Sequence, residues 1–193
     1  MTFWLATNNE HKRRELEAIF SGHTLFTPAS AGLSFDPEET GSTFIENTLI
    51  KARTLYDLVH EPVIADDSGL CVDALGGRPG IYSARYGSTE GKKLESWERN
   101  GLLLKELAAA PDRRARFVCA MVVLFNHDRF FVVQETLEGE IIHESRGTGG
   151  FGYDPILYLP ERGCTVAELP EEEKNHISHR GKAGRALARL LQD

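Results

Sequence analysis

Two adjacent aspartates, Asp66 and Asp67, follow an apolar run in the segment PVIADDSGL, residues 62–70. Two more carboxylates, Glu38 and Glu39, lie in a polar loop upstream. Hard divalent cations bind oxygen ligands, and Mg²⁺ usually takes one or two carboxylates with water and substrate phosphates. Because side chains alternate along a strand, one aspartate would face the metal and the other would support it. Alternatively, one aspartate caps a turn beside Ser68 and the other is solvated.

A second polar set, LATNNEHK, lies where the first strand pattern meets a helical pattern. Backbone amides at a helix start and the positive end of the helix dipole together favour an anion. Thr7, Asn8 and Asn9 can cap this helix, and Lys12 is within reach of a bound phosphate. A plain N-cap with a solvated lysine would give the same pattern. The Walker sequence GxxxxGK is absent.

Lys51 shares one stripe of a predicted helix with Phe44 and Asn47, beside the apolar face. A lysine at the edge of the core, near acidic groups, can balance their charge or orient a water molecule. A solvated helix lysine is the alternative interpretation.

A glycine-rich segment late in the chain, GTGGFGYDP, could approach a planar ligand closely. Phe151 and Tyr153 offer rings for stacking on a nucleobase, and Asp154 offers an acceptor for base or sugar donors. A flexible turn with two packing aromatics is the alternative. The segment lacks the strand–turn–helix context of a dinucleotide fingerprint.

Cations begin the last predicted helix, where Ser178 is a natural N-cap. His179 and Arg180 would lie in the first turn, where positive charge opposes the helix dipole. A local rule broken in this way suggests a functional demand. With Lys174, these residues could donate to a carbonyl oxygen or a phosphate. A solvated basic helix end is the alternative.

Alternating strand and helix patterns must position these residues, which indicates a mixed α/β fold with a late antiparallel pair. Strands are predicted at 2–7, 23–28, 62–66, 114–125, 129–141 and 156–159, and helices after NNEHK, from Thr43, at 89–109, at about 166–173 and from near Ser178.

Length and composition favour one globular domain, residues 1–193, with a net charge of −7. An acidic chain lacks the electrostatic footprint of a nucleic-acid binder. Its three cysteines have no metal-binding spacing, and no apolar run is long enough to span a membrane. We therefore expect a cytoplasmic protein with reduced thiols.

Six segments together resemble the inosine/xanthosine triphosphate pyrophosphatase family. In chain order they are LATNNEHKRREL, EETGSTFIENTLIKA, ADDSGL, LGGRPGIYSARY, GTGGFGYDP and EEKNHISHRGKA. They run from residue 5 to residue 183, nearly the whole chain.

The resemblance implies an elongated two-lobed α/β fold, with a central mixed sheet flanked by helices, an active-site cleft between the lobes, and a homodimer. It implies Mg²⁺-dependent hydrolysis of ITP, dITP and XTP to the monophosphate and pyrophosphate, which removes deaminated purines from the nucleotide pool.

Rival hypotheses are a related pyrophosphatase for modified pyrimidines or methylated nucleotides, and a regulatory nucleotide-binding module without chemistry.

Site residues carried over by motif fall into four groups. Asp67 would be the general base, with Lys51 beside the phosphates. Metal ligands would come from Glu38, Glu39, Asp66 and Asp67, the choice between the two glutamates being open. The triphosphate would bind Thr7, Asn8, Asn9, Glu10, His11 and Lys12. The rest of the substrate would contact Ser68, Phe151, Gly152, Tyr153, Asp154, Lys174, His179 and Arg180. Preference among ITP, dITP and XTP, and the exclusion of GTP, are left open by the residues.

Overall fold

The computed structural model describes residues 1–191, in which five α-helices and seven β-strands form a mixed α/β fold. The last two residues of the predicted domain lie outside the described residues. The elements are β1 (Thr2–Leu5), α1 (Glu10–Ile19), β2 (Thr24–Phe26), α2 (Phe44–Val59), β3 (Val63–Val72), α3 (Ser96–Glu106), β4 (Arg114–Asn126), β5 (Arg129–Ile141), β6 (Leu157–Leu159), β7 (Cys164–Thr165), α4 (Glu171–Ile177) and α5 (His179–Leu190).

All seven strands belong to one sheet in the order β2-β1-β3-β4-β5-β6-β7. Strand β1 runs parallel to both β2 and β3, whereas β6 runs antiparallel to β5 and β7. Only two residues separate β4 from β5, a connection that joins antiparallel neighbours. The expected central mixed sheet is confirmed. The two-lobed outline and its cleft stay predictions.

Strand β3 is longer than the sequence indicated. The pattern predicted a strand ending at Asp66, but β3 continues through both aspartates to Val72. Residues Val63–Asp67 are all buried, because β3 lies inside the sheet between β1 and β4. The prediction failed because the polar run DDSG looks like a turn, whereas its carboxylates are accommodated in the sheet by charged partners.

Two helices also differ from their predicted bounds. The helix expected at 89–109 spans only Ser96–Glu106, because Thr89 and Lys92 pair across a tight turn that contains Gly91 at φ 78°. The acidic helix expected at about 166–173 divides into a 3₁₀ turn and α4, which begins after Pro170.

The chain divides into two compact units, each with its own buried core. Unit 1 comprises Met1–Asp67, Cys119–Glu135 and residues 178–191. Unit 2 comprises Ser68–Val118 and Thr136–Ile177. No helix within residues 1–191 combines the length and the apolar character needed to cross a bilayer.

Within unit 1, α5 packs closely against α1. Leu16 and Phe20 of α1 share a buried cluster with Ala183 and Leu187 of α5. A side chain at Gly184 would meet Ile19, so the glycine is needed for this close approach. The contact fixes the N-terminal turn of α5 beside the middle of α1.

Candidate functional site

Lys51 joins two carboxylates in unit 1. Its Nζ atom lies 2.9 Å from Asp67 Oδ1 and 3.0 Å from Glu39 Oε1. Helix α2 is fixed at its start by a capping box between Thr43 and Glu46, and it directs Lys51 toward β3. Asn47, one turn earlier on the helix, donates to Asp67 Oδ2 at 3.5 Å. The predicted stripe on α2 therefore faces the carboxylates of Asp67 and Glu39.

Burial dominates the electrostatics of Asp67. Loss of hydration raises the pKa of this carboxyl above its ordinary value, although the positive charges of Lys51 and Lys12 oppose the change. Burial lowers the pKa of Lys51, but Asp67, Asp66 and Glu39 outweigh that effect and raise it. A charged ammonium thus faces a carboxylate whose proton affinity is above normal, which suits a general base.

Asp66 faces a different set of partners, as strand alternation predicted. Its Oδ2 atom lies 2.9 Å from Lys12 Nζ and 3.2 Å from both Nε and Nη2 of Arg180. Arg180 also donates from Nη1 to Glu15 Oε2 at 2.5 Å. Burial opposes ionisation of Asp66, but the charges of Lys12, Arg180 and Lys51 outweigh it and lower the pKa below its usual range. Asp66 is therefore ionised.

The start of α1 provides donors and caps, as the sequence indicated. Asn9 is the N-cap, and its Oδ1 atom accepts from the backbone amides of His11 and Lys12. Thr7 Oγ1 accepts from the Asn9 amide at 3.1 Å. Asn8 does not cap the helix; it donates to the carbonyl of Phe35 at 2.5 Å and so holds the following loop.

Glu10 and His11 are exposed at this helix start. Glu10 accepts from Arg13 Nε at 3.0 Å, and this hydrogen bond lowers the pKa of Glu10. Both residues therefore lie on the outer side of the first turn of α1.

A second polar cluster lies in unit 2. Lys174 Nζ donates to Asp154 Oδ2 at 2.7 Å and lies 4.7 Å from the centre of the Phe151 ring. Asp154 Oδ2 also accepts from the Phe151 amide at 2.7 Å. Gly150, at φ 69°, passes so close to Asp154 that a methyl group there would meet the carboxylate. The cluster therefore presents one ring, one cation and one acceptor.

The two predicted stacking rings differ in their surroundings. Phe151 is half-buried, whereas Tyr153 lies in the core of unit 2 with its hydroxyl donating to the Ser83 carbonyl at 3.0 Å. Between them, the Gly152 carbonyl accepts from the buried Asn100 at 3.1 Å. Stacking on a base thus falls to Phe151, while Tyr153 and Asn100 anchor the loop.

Two other predicted substrate contacts, His179 and Ser68, lie in α5 and β3. His179 is buried in the first turn of α5, where Ser178 Oγ caps the helix by accepting from the Gly181 amide at 3.0 Å. Ser68 is half-buried in β3, directly after Asp67.

The carboxylates fit a divalent cation that is shared with a phosphate ligand. Oxygens of Glu39 and Asp67 already converge on one positive charge, the Lys51 ammonium, whereas Glu38 is exposed. Within residues 1–191, no three His, Cys, Asp or Glu side chains are grouped closely enough to hold a metal alone. Mg²⁺ typically takes one or two carboxylates and completes its shell with water and phosphate oxygens.

Glu15 is the site residue that the sequence reasoning missed. It is 6% exposed and lies next to Leu16 on the face of α1 that packs against α5. The signal was available, because Glu15 lies four residues before Ile19, so that a carboxylate adjoins the apolar stripe of Leu16, Ile19 and Phe20.

Known proteins are similar to this chain over nearly its whole length. The model of the Ham1 family matches residues 3–190. A dITP/XTP pyrophosphatase of Treponema denticola is 51% identical over 192 residues, covering 100% of this chain and 99% of the relative. One from Geobacillus kaustophilus is 48% identical over 183 residues, covering 93% of this chain and 88% of the relative.

Solved structures of similar chains have the same fold. The Staphylococcus aureus Ham1 protein has a TM-score of 0.89 at 39% identity, and a HAM1 protein from Coxiella burnetii has 0.90 at 39%. Each comparison covers 100% of this chain and 98% of the other. The chain belongs to the Ham1 family.

Proposed function

We propose that this protein hydrolyses non-canonical purine nucleoside triphosphates, namely ITP, dITP and XTP, to the nucleoside monophosphate and pyrophosphate. Family membership and the dITP/XTP pyrophosphatase names of relatives at 45–51% identity support this activity. It is a hydrolase that acts on the bond between the α- and β-phosphates.

The observation that carries the proposal is the contact of Lys51 with both Asp67 and Glu39. Asp67, with its raised pKa, orients a water molecule and accepts its proton. The water oxygen attacks the α-phosphorus in line, the bond from that phosphorus to the bridging oxygen breaks, and pyrophosphate leaves. Lys51 places positive charge beside the phosphates as negative charge develops on them.

A bound Mg²⁺ would neutralise charge on the phosphate oxygens. Asp67 and Glu39 are the residues best placed to hold it, with Asp66 in support and Glu38 as the more exposed alternative. With such a cation bound, Lys51 would share the carboxylates of Asp67 and Glu39 with it.

The start of α1 binds the triphosphate in this proposal. The segment from Thr7 to Lys12 supplies backbone amides at the positive end of the helix dipole, and Lys12 supplies a charge. Glu10 and His11 contribute through their backbone, since the Glu10 side chain is held by Arg13.

In this proposal Phe151, Gly152, Asp154 and Lys174 of unit 2 recognise the base. Base contacts from Ser68, Tyr153, His179 and Arg180 stay predictions. Phe151 provides the stacking surface, and the donors face the 6-carbonyl of hypoxanthine or xanthine. Adenine carries an amino group at that position and would leave such donors unpaired, which a site built around hydrogen bonds rejects strongly.

Homodimer formation, a cytoplasmic location and clearance of the nucleotide pool stay predictions.

Incubation with dITP and Mg²⁺, followed by separate assays for pyrophosphate and orthophosphate, tests this function. We expect one pyrophosphate per dITP, slower turnover of dATP and dTTP, and a loss of several orders of magnitude in a folded Asp67→Asn variant. Orthophosphate as the product would contradict the α-phosphorus reaction. Binding of dITP without Mg²⁺-dependent turnover would favour a regulatory nucleotide-binding module instead.

A further inference from the structure

Asn100 of α3 holds the turn of residues 151–154, which carries the stacking ring. Its side-chain Nδ2 atom donates to the carbonyl of Gly152 at 3.1 Å, across 52 positions of the chain. Because a carbonyl oxygen only accepts hydrogen bonds, the side-chain atom that faces it must be the NH₂ group. Asn100 and the turn both belong to unit 2.

The surroundings of Asn100 are unfavourable for an amide. Only 4% of the residue is exposed, and its Oδ1 atom has no hydrogen-bond partner within residues 1–191. A buried acceptor without a partner costs free energy, which an apolar side chain of the same shape would not. Leu103, one turn later on α3, is such an apolar residue and is fully buried. An amide at position 100 therefore indicates that the direction of its donor matters.

The turn has few other restraints at Gly152. The backbone there has φ 63°, and among the described residues no heavy atom beyond its chain neighbours lies within 4 Å of where a Cβ atom would be. Packing therefore does not fix this side of the turn. To either side, Asp154 Oδ2 accepts from the Phe151 amide, and Tyr153 is anchored in the core of unit 2. Asn100 restrains the residue between the stacking ring and Tyr153.

Movement of this turn would displace the groups that face a base. Lys174 Nζ donates to Asp154 Oδ2 at 2.7 Å and lies 4.7 Å from the centre of the Phe151 ring, so the ring, the cation and the acceptor move together. In the proposed function these groups stack on the purine and donate to its 6-carbonyl. Groups that are held in place before the substrate arrives bind it more tightly, because no loose turn has to be ordered.

We propose that Asn100 is a positioning residue for base recognition: by fixing the turn at Gly152, it sets the affinity for the purine and the preference for a 6-carbonyl over a 6-amino group. The inference rests on the proposed function. In that function Asp67 and Lys51 of unit 1 carry out the chemical step, whereas Asn100 and its turn belong to unit 2. Loss of Asn100 should therefore change binding and base choice rather than hydrolysis itself.

The test compares Asn100→Leu with Tyr86→Phe. Leucine has a similar size but lacks the donor to Gly152. Tyr86→Phe is the matched control, because it also removes one hydrogen bond to or from α3, that of the Tyr86 hydroxyl to Glu106 Oε2 at 2.8 Å. For Asn100→Leu we expect the KM for dITP to rise about three- to tenfold, as for the loss of one neutral hydrogen bond, with kcat within about twofold of wild type. The affinity for a non-hydrolysable imidodiphosphate analogue of dITP should weaken by the same factor.

Base preference gives the second readout. The ratio of kcat/KM for dITP to that for dATP should fall about two- to tenfold in Asn100→Leu, because dATP does not pair with the donors and so loses less. Tyr86→Phe should match the wild type in KM, kcat and this ratio.

Stability separates this role from a purely structural one. Asn100→Leu removes an unpaired buried oxygen together with a hydrogen bond, so we expect its urea midpoint to lie close to that of Tyr86→Phe. Rates are compared per folded molecule, and Asn100→Ala replaces the leucine variant if that variant does not fold. A wild-type KM or an unchanged dITP to dATP ratio in the folded variant would overturn the inference, and so would equal changes in Tyr86→Phe. A wild-type protein that releases no pyrophosphate would instead overturn the proposed function itself.

Discussion

Replacing Lys51 with methionine tests the electrostatics of Asp67 and Glu39 most severely. Methionine keeps most of the apolar side chain and removes the ammonium that contacts Asp67 and Glu39. The side chain of Asp67 is 8% exposed, so its charge would lose its closest partner without gaining water. Activity should fall steeply as well, but the sharper prediction concerns the free energy of unfolding.

The size of the effect follows from burial. Removing one partner of a buried ion pair costs about 3–5 kcal/mol, because the other charge is left uncompensated. We expect about 3 kcal/mol at pH 7.5, since the Glu39 side chain is 25% exposed and gains some hydration.

The loss should shrink in acid, and its sign follows from linkage. In the variant, the folded-state pKa of Asp67 rises further above the unfolded value, so the folded protein binds the extra proton and stability falls as pH rises. Each pH unit is worth about 1.4 kcal/mol over the range in which Asp67 is protonated in the folded variant but ionised in the folded wild type. The deficit of the variant relative to wild type should therefore be smaller at pH 5.5 than at pH 7.5.

Urea unfolding at the two pH values measures this, provided that the m-value is unchanged. Arg53→Met is the matched control, because Arg53 lies on the same helix but is exposed, with its guanidinium 5.9 Å from the Phe130 ring. It should lose no more than about 1 kcal/mol at either pH. If Lys51→Met were as stable as Arg53→Met at pH 7.5, the reasoning about buried charge would be refuted.

Three smaller predictions concern the supports of the site. Thr43→Ala should lower the free energy of unfolding by about 1 kcal/mol in urea titrations, because it removes the capping oxygen at the start of α2. Gly150→Ala should raise the KM for dITP several-fold more than Gly152→Ala does. Both glycines have positive φ, but only at Gly150 would the methyl group meet Asp154. Tyr86 should titrate near pH 12 in an absorbance measurement, since burial and a glutamate partner raise its pKa to about 12. Because the unfolded tyrosine ionises first, at about pH 10, the Tyr86 contribution to stability should decline between about pH 10 and pH 12 and be absent in Tyr86→Phe.

The sequence predicted the parts of the fold that local patterns determine. The helix start at Thr43, the N-cap at Ser178 and the two long strands at 114–125 and 129–141 all correspond to observed elements. Each has a cap or an apolar periodicity within a few residues of chain. The alternation argument likewise separated Asp66 from Asp67 correctly, because it depends only on strand geometry.

Other features depend on partners far away in the chain. Strand β3 continues past Asp66 because Lys12 and Arg180, the latter 114 residues distant, neutralise a charge that would otherwise end a buried strand. Tyr153 belongs to the core because the Ser83 carbonyl, 70 residues earlier, accepts a hydrogen bond from its hydroxyl. No window of sequence contains such pairs, so periodicity alone could not identify them.

The position of the attacked phosphorus tests the central claim most directly. Hydrolysis of dITP in ¹⁸O-labelled water, followed by mass spectrometry of both products, identifies the phosphorus that accepts the water oxygen. Attack at the α-phosphorus, with Asp67 as the base, predicts one labelled oxygen in deoxyinosine monophosphate and none in pyrophosphate. Label in the pyrophosphate, or release of labelled orthophosphate, would contradict the account.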